Sequence, residues 1–402
     1  REKGTDSVYS EFEKLMQENR CQQAAELLKK KKGTSALLRN MDYIISRMDR
    51  EEEQTFLSEF PEDCSTLILL QLLFRYEGVQ RKDGRIFKFT QHNLMKVHYE
   101  TPEESEKCQS RLTEEQVKEV GKMIRSKLSE KLRNRLGKVY IEPSMKNYTL
   151  PLAENTSQGG LGVLSKGSRI PIEEGKKLRA FTYWEKVNDI DLSVFALTED
   201  GNRREFSWRT MSRHQSGAIT YSGDQTSGYL GGSEYFDINL PEFKARYSEY
   251  RYLIFCDNVY SGKNFNECFC KAGYMLRDWD DSGQVYEPKT VKSAYLVNCE
   301  STFAYLFGID LFTNEFVWLN VAKNSKSRVA GDTNLSFLTD YFHLTDVMNM
   351  YDFFSMMAEK IVEDPMEADV VVTDHEVKCT EEVQIIREYD FEKIRMLMED
   401  AK

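Results

Sequence analysis

The spacing of apolar positions changes once along this chain, near residue 138. Before that point apolar residues recur at helical period. Val8, Phe12 and Leu15 share one face, and Leu37, Leu38, Met41, Ile44, Ile45 and Met48 repeat at i, i+3, i+4 and i+7. Gly33 and Thr34 separate this stretch from the Lys29–Lys32 run, whose four cations suit a helix C-terminus. Asp63 or Ser65 is placed to cap a helix running through Leu73, and Thr113 with Gln116 forms a capping box before Val117, Val120, Ile124, Leu128 and Leu132. One interruption is expected: Arg85-Ile86-Phe87-Lys88-Phe89 alternates like a short strand entered by the turn Asp83-Gly84.

After Leu136-Gly137 the apolar runs become short and are bounded by turn residues. Candidate strands are Gly162–Leu164, Arg179–Trp184, Leu192–Leu197, Arg251–Phe255 and Phe316–Val321. Many strands with few helices between them predict an antiparallel sandwich. Residues 335–361 return to helical spacing, Asp369–Val372 reads as a further strand, and the charged tail 381–402 reads as an exposed helix. The predicted class is α+β: an all-helical domain over 1–138, a β-sandwich over 139–375 and a charged C-terminal helix over 376–402.

Composition narrows the function. Twenty-three Phe and 21 Tyr against 8 Pro mark a chain that can build cores, unlike a disordered one. A net charge of −11 argues against a nucleic-acid partner, which needs a basic surface. No apolar run reaches the ~18 residues that a membrane span requires. The 8 Cys include no CxxC pair; Cys268 and Cys270 would share one strand face, and all eight are expected to be reduced core thiols. With no signal peptide evident, the expected compartment is the cytoplasm, although the opening at Arg1 rather than Met leaves room for a preceding targeting signal or domain.

Catalytic signatures are missing. The histidines at 92, 98, 214, 343 and 375 form no HExxH, and no GxSxG, dinucleotide or kinase fingerprint occurs. The Gly159-Gly160-Leu161-Gly162 run has neither GxGxxG nor a following GKS/T. Binding, not catalysis, is therefore expected.

The acidic loops carry the chemistry. Asn188-Asp189-Ile190-Asp191 sets two carboxylates two positions apart, able to converge on one cation. Ser222-Gly223-Asp224-Gln225-Thr226-Ser227-Gly228 and Gly231-Gly232-Ser233-Glu234 embed Asp224 and Glu234 among small, pliant residues. Calcium takes 6–8 oxygens in a flexible geometry, whereas magnesium demands a stricter octahedron. Plain turn chemistry fits the same residues equally well.

The stretch from Asp189 to Gly201 resembles the first signature of the tellurium-resistance TerD family. The order that follows is also similar: Gly217 to Tyr221, the Ser222-Gly223-Asp224 turn, the Gly-rich loop to Glu234, Phe236-Asp237-Ile238-Asn239-Leu240, the strand 252–256, and Gly262 to Phe265. The resemblance covers roughly 160–330. A helical region ahead of such a domain is similar to some longer bacterial proteins of that group. The resemblance implies a compact β-sandwich, calcium bound by acidic loops, and a cytoplasmic stress-response role. By position it assigns Asp189, Asp191, Asp224 and Glu234 as metal ligands. Gly232 and Ser233 stand where the family carries acids, and Tyr229 and Leu230 intrude, which predicts weaker calcium binding or one site instead of two. The leading expectation is a calcium-modulated scaffold with a protein partner yet to be identified. A metal-free interaction module and a metal-dependent hydrolase are the alternatives.

Overall fold

The computed structural model describes residues 7–81, 86–91, 94–108, 112–152, 162–211, 217–260, 263–279, 288–322 and 335–399. The Asp83-Gly84 turn, His92, the Gly159–Leu161 run, His214 and Gly262 lie outside them. Both helices and antiparallel sheets are present, so the α+β class holds.

The front of the chain is mostly helical. Ser65 accepts from the Ile68 N–H and starts the helix Thr66–Glu77. The Thr113/Gln116 capping box opens Glu114–Leu132, whose Val120, Ile124, Leu128 and Leu132 are fully buried. Burying each such side chain contributes about 1.5–3 kcal/mol as an upper figure. The stretch read as one periodic run over Leu37–Met48 is two short helices, Thr34–Arg39 and Met41–Ile45, because the chain turns at Asn40. Strands β1 (Ile86–Gln91) and β2 (Leu94–Tyr99) form an antiparallel hairpin, so the front is not wholly helical. On β2, Met95, Val97 and Tyr99 pack inward and the residues between them face out, the period-2 pattern of a half-covered strand. No helix among the described residues is long and apolar enough to cross a membrane.

Strand β3 (Leu136–Ile141) is followed by eleven strands of two antiparallel sheets. They are β4 (Arg169–Pro171), β5 (Lys177–Glu185), β6 (Ile190–Leu197), β7 (Arg203–Phe206), β8 (Ile219–Tyr221), β9 (Gly232–Ile238), β10 (Tyr252–Val259), β11 (Phe269–Arg277), β12 (Val291–Leu296), β13 (Phe303–Asp310) and β14 (Glu315–Ala322). One sheet has the order β4-β14-β13-β10-β6-β7 and the other β12-β11-β5-β9-β8. Val194, Phe255 and Trp318 of the first and Trp184, Phe236 and Ala272 of the second belong to one core. The six-stranded sheet is also covered on its other face. There Phe195, Ile254, Tyr305 and Val317 meet Phe337, Leu338 and Phe342 and the β1–β2 hairpin. Double coverage explains why β6 and β10 are buried along their whole length instead of alternating with solvent.

The structure differs from expectation at both ends of this region. Gly162–Leu164 is not a strand, although Leu164 is buried. Strands β3, β15 (Ala358–Ile361), β16 (Val370–Val372) and β17 (Gln384–Ile386) form a separate, all-parallel sheet of order β15-β3-β16-β17. This sheet takes strands from both sides of the boundary near 375. The tail is correspondingly not a single exposed helix: β17 precedes a helix at Phe391–Met398 that buries Phe391, Ile394 and Met398.

Candidate metal centre

The candidate site lies where three connections meet at one end of the two antiparallel sheets. β5 gives way to β6 through a turn in which Lys186 takes φ +71°. Backbone bonds fix this turn on both sides. The Gly228 N–H donates to the Asn188 carbonyl at 2.7 Å, the Lys186 N–H to the Tyr229 carbonyl at 2.8 Å, and the Tyr260 N–H to the Asp189 carbonyl at 3.2 Å. The loop between β8 and β9 reaches the same place through a left-handed Gly223 at φ +95°, a conformation that favours glycine.

These constraints bring Asp189, Asp191 and Asp224 together. One ligating oxygen from each lies within 4.8 Å of the other two. Two oxygens each about 2.4 Å from a single calcium ion stand at most about 4.8 Å apart, so each pair in the group meets the spacing that a shared ion requires. Asp191 is buried, Asp189 half-buried and Asp224 exposed, giving the group a closed floor and an open mouth. Among the described residues it is the one group of three His, Cys, Asp or Glu side chains close enough to share an ion.

Burial and like charge dominate the electrostatics of the group. Burial first, then the Asp191 and Asp224 charges, push the Asp189 carboxyl up to about 6. Its Oδ1 is out of solvent and receives no hydrogen bond. Burial also raises Asp191, against a lowering contribution from Asn258, whose Nδ2 lies 3.5 Å from Asp191 Oδ2 across the β6–β10 register. A shielded carboxylate oxygen without a hydrogen bond, on a residue grouped with two further carboxylates, fits a hard cation with oxygen ligands.

Glu234, the fourth predicted ligand, occupies a different position. It is fully buried on β9, and both oxygens are taken by backbone donors: Oε2 by the Leu192 N–H at 2.8 Å and Oε1 by the Gln225 N–H at 3.0 Å. Burial pushes its carboxyl up to about 8. It lies outside the close group and ties β6 to the Asp224 loop. Asp257 is also fully buried, and accepts from Thr182 Oγ1 at 2.6 Å in the space between the sheets. Burial pushes it up to about 7.

The small residues beside the site have a packing cause. A Cβ on Gly232 would come within 2.3 Å of the fully buried Trp184 indole, and one on Gly228 within 2.6 Å. Neither position can hold an acid while that indole stays in place. Ser233 is likewise committed, its N–H donating to Gln225 Oε1 at 2.9 Å and its Oγ to the Thr182 carbonyl at 2.8 Å. The sequence pattern does not single out Asn258, Gln225 or Trp184 as contributors. The paired Asp257-Asn258 at the end of an apolar strand was the one available signal, and its Asn is the residue that touches the triad.

The class defined by this architecture is an α+β protein with an acidic loop cluster at one end of two antiparallel sheets. Comparison with protein-family models, with curated proteins and with solved structures returns no match for the chain.

Proposed function

We propose that this chain is a calcium-binding interaction module of the TerD kind, acting as a scaffold in a cytoplasmic stress response and not as a catalyst. On this reading the two antiparallel sheets are the TerD-like sandwich, and the helical front is an added docking element for a protein partner. The observation that carries the proposal is the triad Asp189, Asp191 and Asp224, three carboxylates within reach of one ion. Calcium is favoured over magnesium because the ligands come from two separate connections and a strand, a set that tolerates irregular geometry. One calcium is expected, since Gly232 and Ser233 offer no carboxylates for a second.

Isothermal titration of calcium into chelator-stripped protein, with magnesium as control, tests this. A calcium-selective signal near one equivalent, lost in Asp191→Asn, is expected. No heat and no thermal shift at millimolar calcium would end the proposal.

A further inference from the structure

The rim of the acidic site carries apolar side chains that stand exposed among the described residues. Leu230 is 94% exposed, more than any other large apolar side chain among the described residues, and Tyr229 and Tyr260 are 51% and 63% exposed. All three are fixed to the site by backbone bonds. Tyr229 holds the Lys186 N–H, Tyr260 donates to the Asp189 carbonyl, and the Gly231 N–H closes the turn around Leu230 onto the Gly228 carbonyl at 3.0 Å. Gly228 and Gly232 are locked against Trp184, so the tip is held out by packing. Lys186, bonded through its N–H to Tyr229, is exposed, as is Lys263, three residues after Tyr260 in the chain.

We infer that this end of the sheets docks onto a bilayer containing anionic phospholipid when calcium is bound, which rests on the calcium reading above. Three carboxylates leave part of a 6–8-oxygen shell open on the solvent side, and headgroup phosphate and carboxylate oxygens can complete it. Leu230 is then placed to enter the acyl boundary. Tyr229 and Tyr260 would sit at headgroup depth, where amphipathic rings are favoured. Lys186 and Lys263 face a negatively charged surface. The size of the patch decides between a membrane and a soluble protein. A stable protein interface buries about 800 Å² on each side, far more than three protruding tips supply, whereas shallow insertion needs only a few such side chains.

The test is co-sedimentation of the full chain with phosphatidylcholine vesicles, with and without phosphatidylserine, in calcium, in magnesium and in chelator. Leu230→Ser is the key variant, and each sample is also titrated with calcium in the absence of lipid. Wild type should sediment only with phosphatidylserine and calcium. Leu230→Ser should lose vesicle affinity on the order of ten-fold while keeping its lipid-free calcium titration. Normal calcium uptake without sedimentation would overturn the membrane inference and leave the calcium reading intact. So would sedimentation that ignores calcium, or a Leu230→Ser variant that sediments like wild type. Absence of calcium uptake would end both readings.

Discussion

Asp189→Asn should stabilise the calcium-free protein and abolish its response to calcium. Burial, Asp191 and Asp224 raise the Asp189 carboxyl from 3.8 to about 6. At about 1.4 kcal/mol per pH unit, this sets about 3 kcal/mol against the ionised form at neutral pH. Asp189 is partly exposed, and screening reduces the realised figure to about 1–2 kcal/mol. Because the folded value lies above the unfolded one, the folded chain binds the proton more tightly. Stability from this group is greatest below about 4 and falls as pH rises to about 6. Asparagine keeps the volume and cannot ionise, so the variant should lack that fall. In chelator near neutral pH its melting temperature should rise by roughly 2 °C. Calcium at a hundred-fold excess over its Kd adds about 2.7 kcal/mol to wild type, and the variant should gain nothing. Thermal unfolding at acidic and neutral pH, with chelator and with calcium, reads all of this. A variant less stable than wild type in chelator at neutral pH would show that the carboxylate is a satisfied structural group, and the reasoning would fail.

Two further substitutions probe the packing around the site and the hairpin. Gly232→Ala forces a methyl group against the Trp184 indole and should cost about 1–3 kcal/mol in urea unfolding, with a shift in indole fluorescence; unchanged stability would mean that the indole is free to move. Asp340→Ala removes the partner 2.6 Å from the Lys88 ammonium, which burial already pulls down, and should cost about 1–3 kcal/mol. A loss below about 0.5 kcal/mol would show that Arg81 and Lys88 do not depend on Asp340 to hold the β1–β2 hairpin against Leu338 and Phe342.

By itself the sequence determined what local physics determines. A cap at Asp63 or Ser65, the Thr113/Gln116 box and strands over 179–184, 192–197, 251–255 and 316–321 follow from spacing and from side chains that reach only a few residues along the chain, and the structure has Ser65 as the cap and a strand over each stretch. The pairing of Asp189 with Asp191 was legible for the same reason, since two positions on one short segment stay close in any fold. What the tertiary structure alone decided involves partners distant in sequence. Asp369–Val372 reads as a strand within the predicted sandwich region, yet Val370–Val372 pairs with Val139–Ile141 in a separate parallel sheet, because a strand's apolar pattern records that it is covered and not by what. Asp224 joins the triad through a loop held by Gln225 and Glu234, while Glu234 itself turns to backbone donors. Gly232 looked like a lost ligand, and the indole of Trp184 across the β5–β9 register shows it to be a contact surface. A carboxylate's role depends on which donors and charges surround it, and those neighbours are set by packing between segments that no short window of sequence contains.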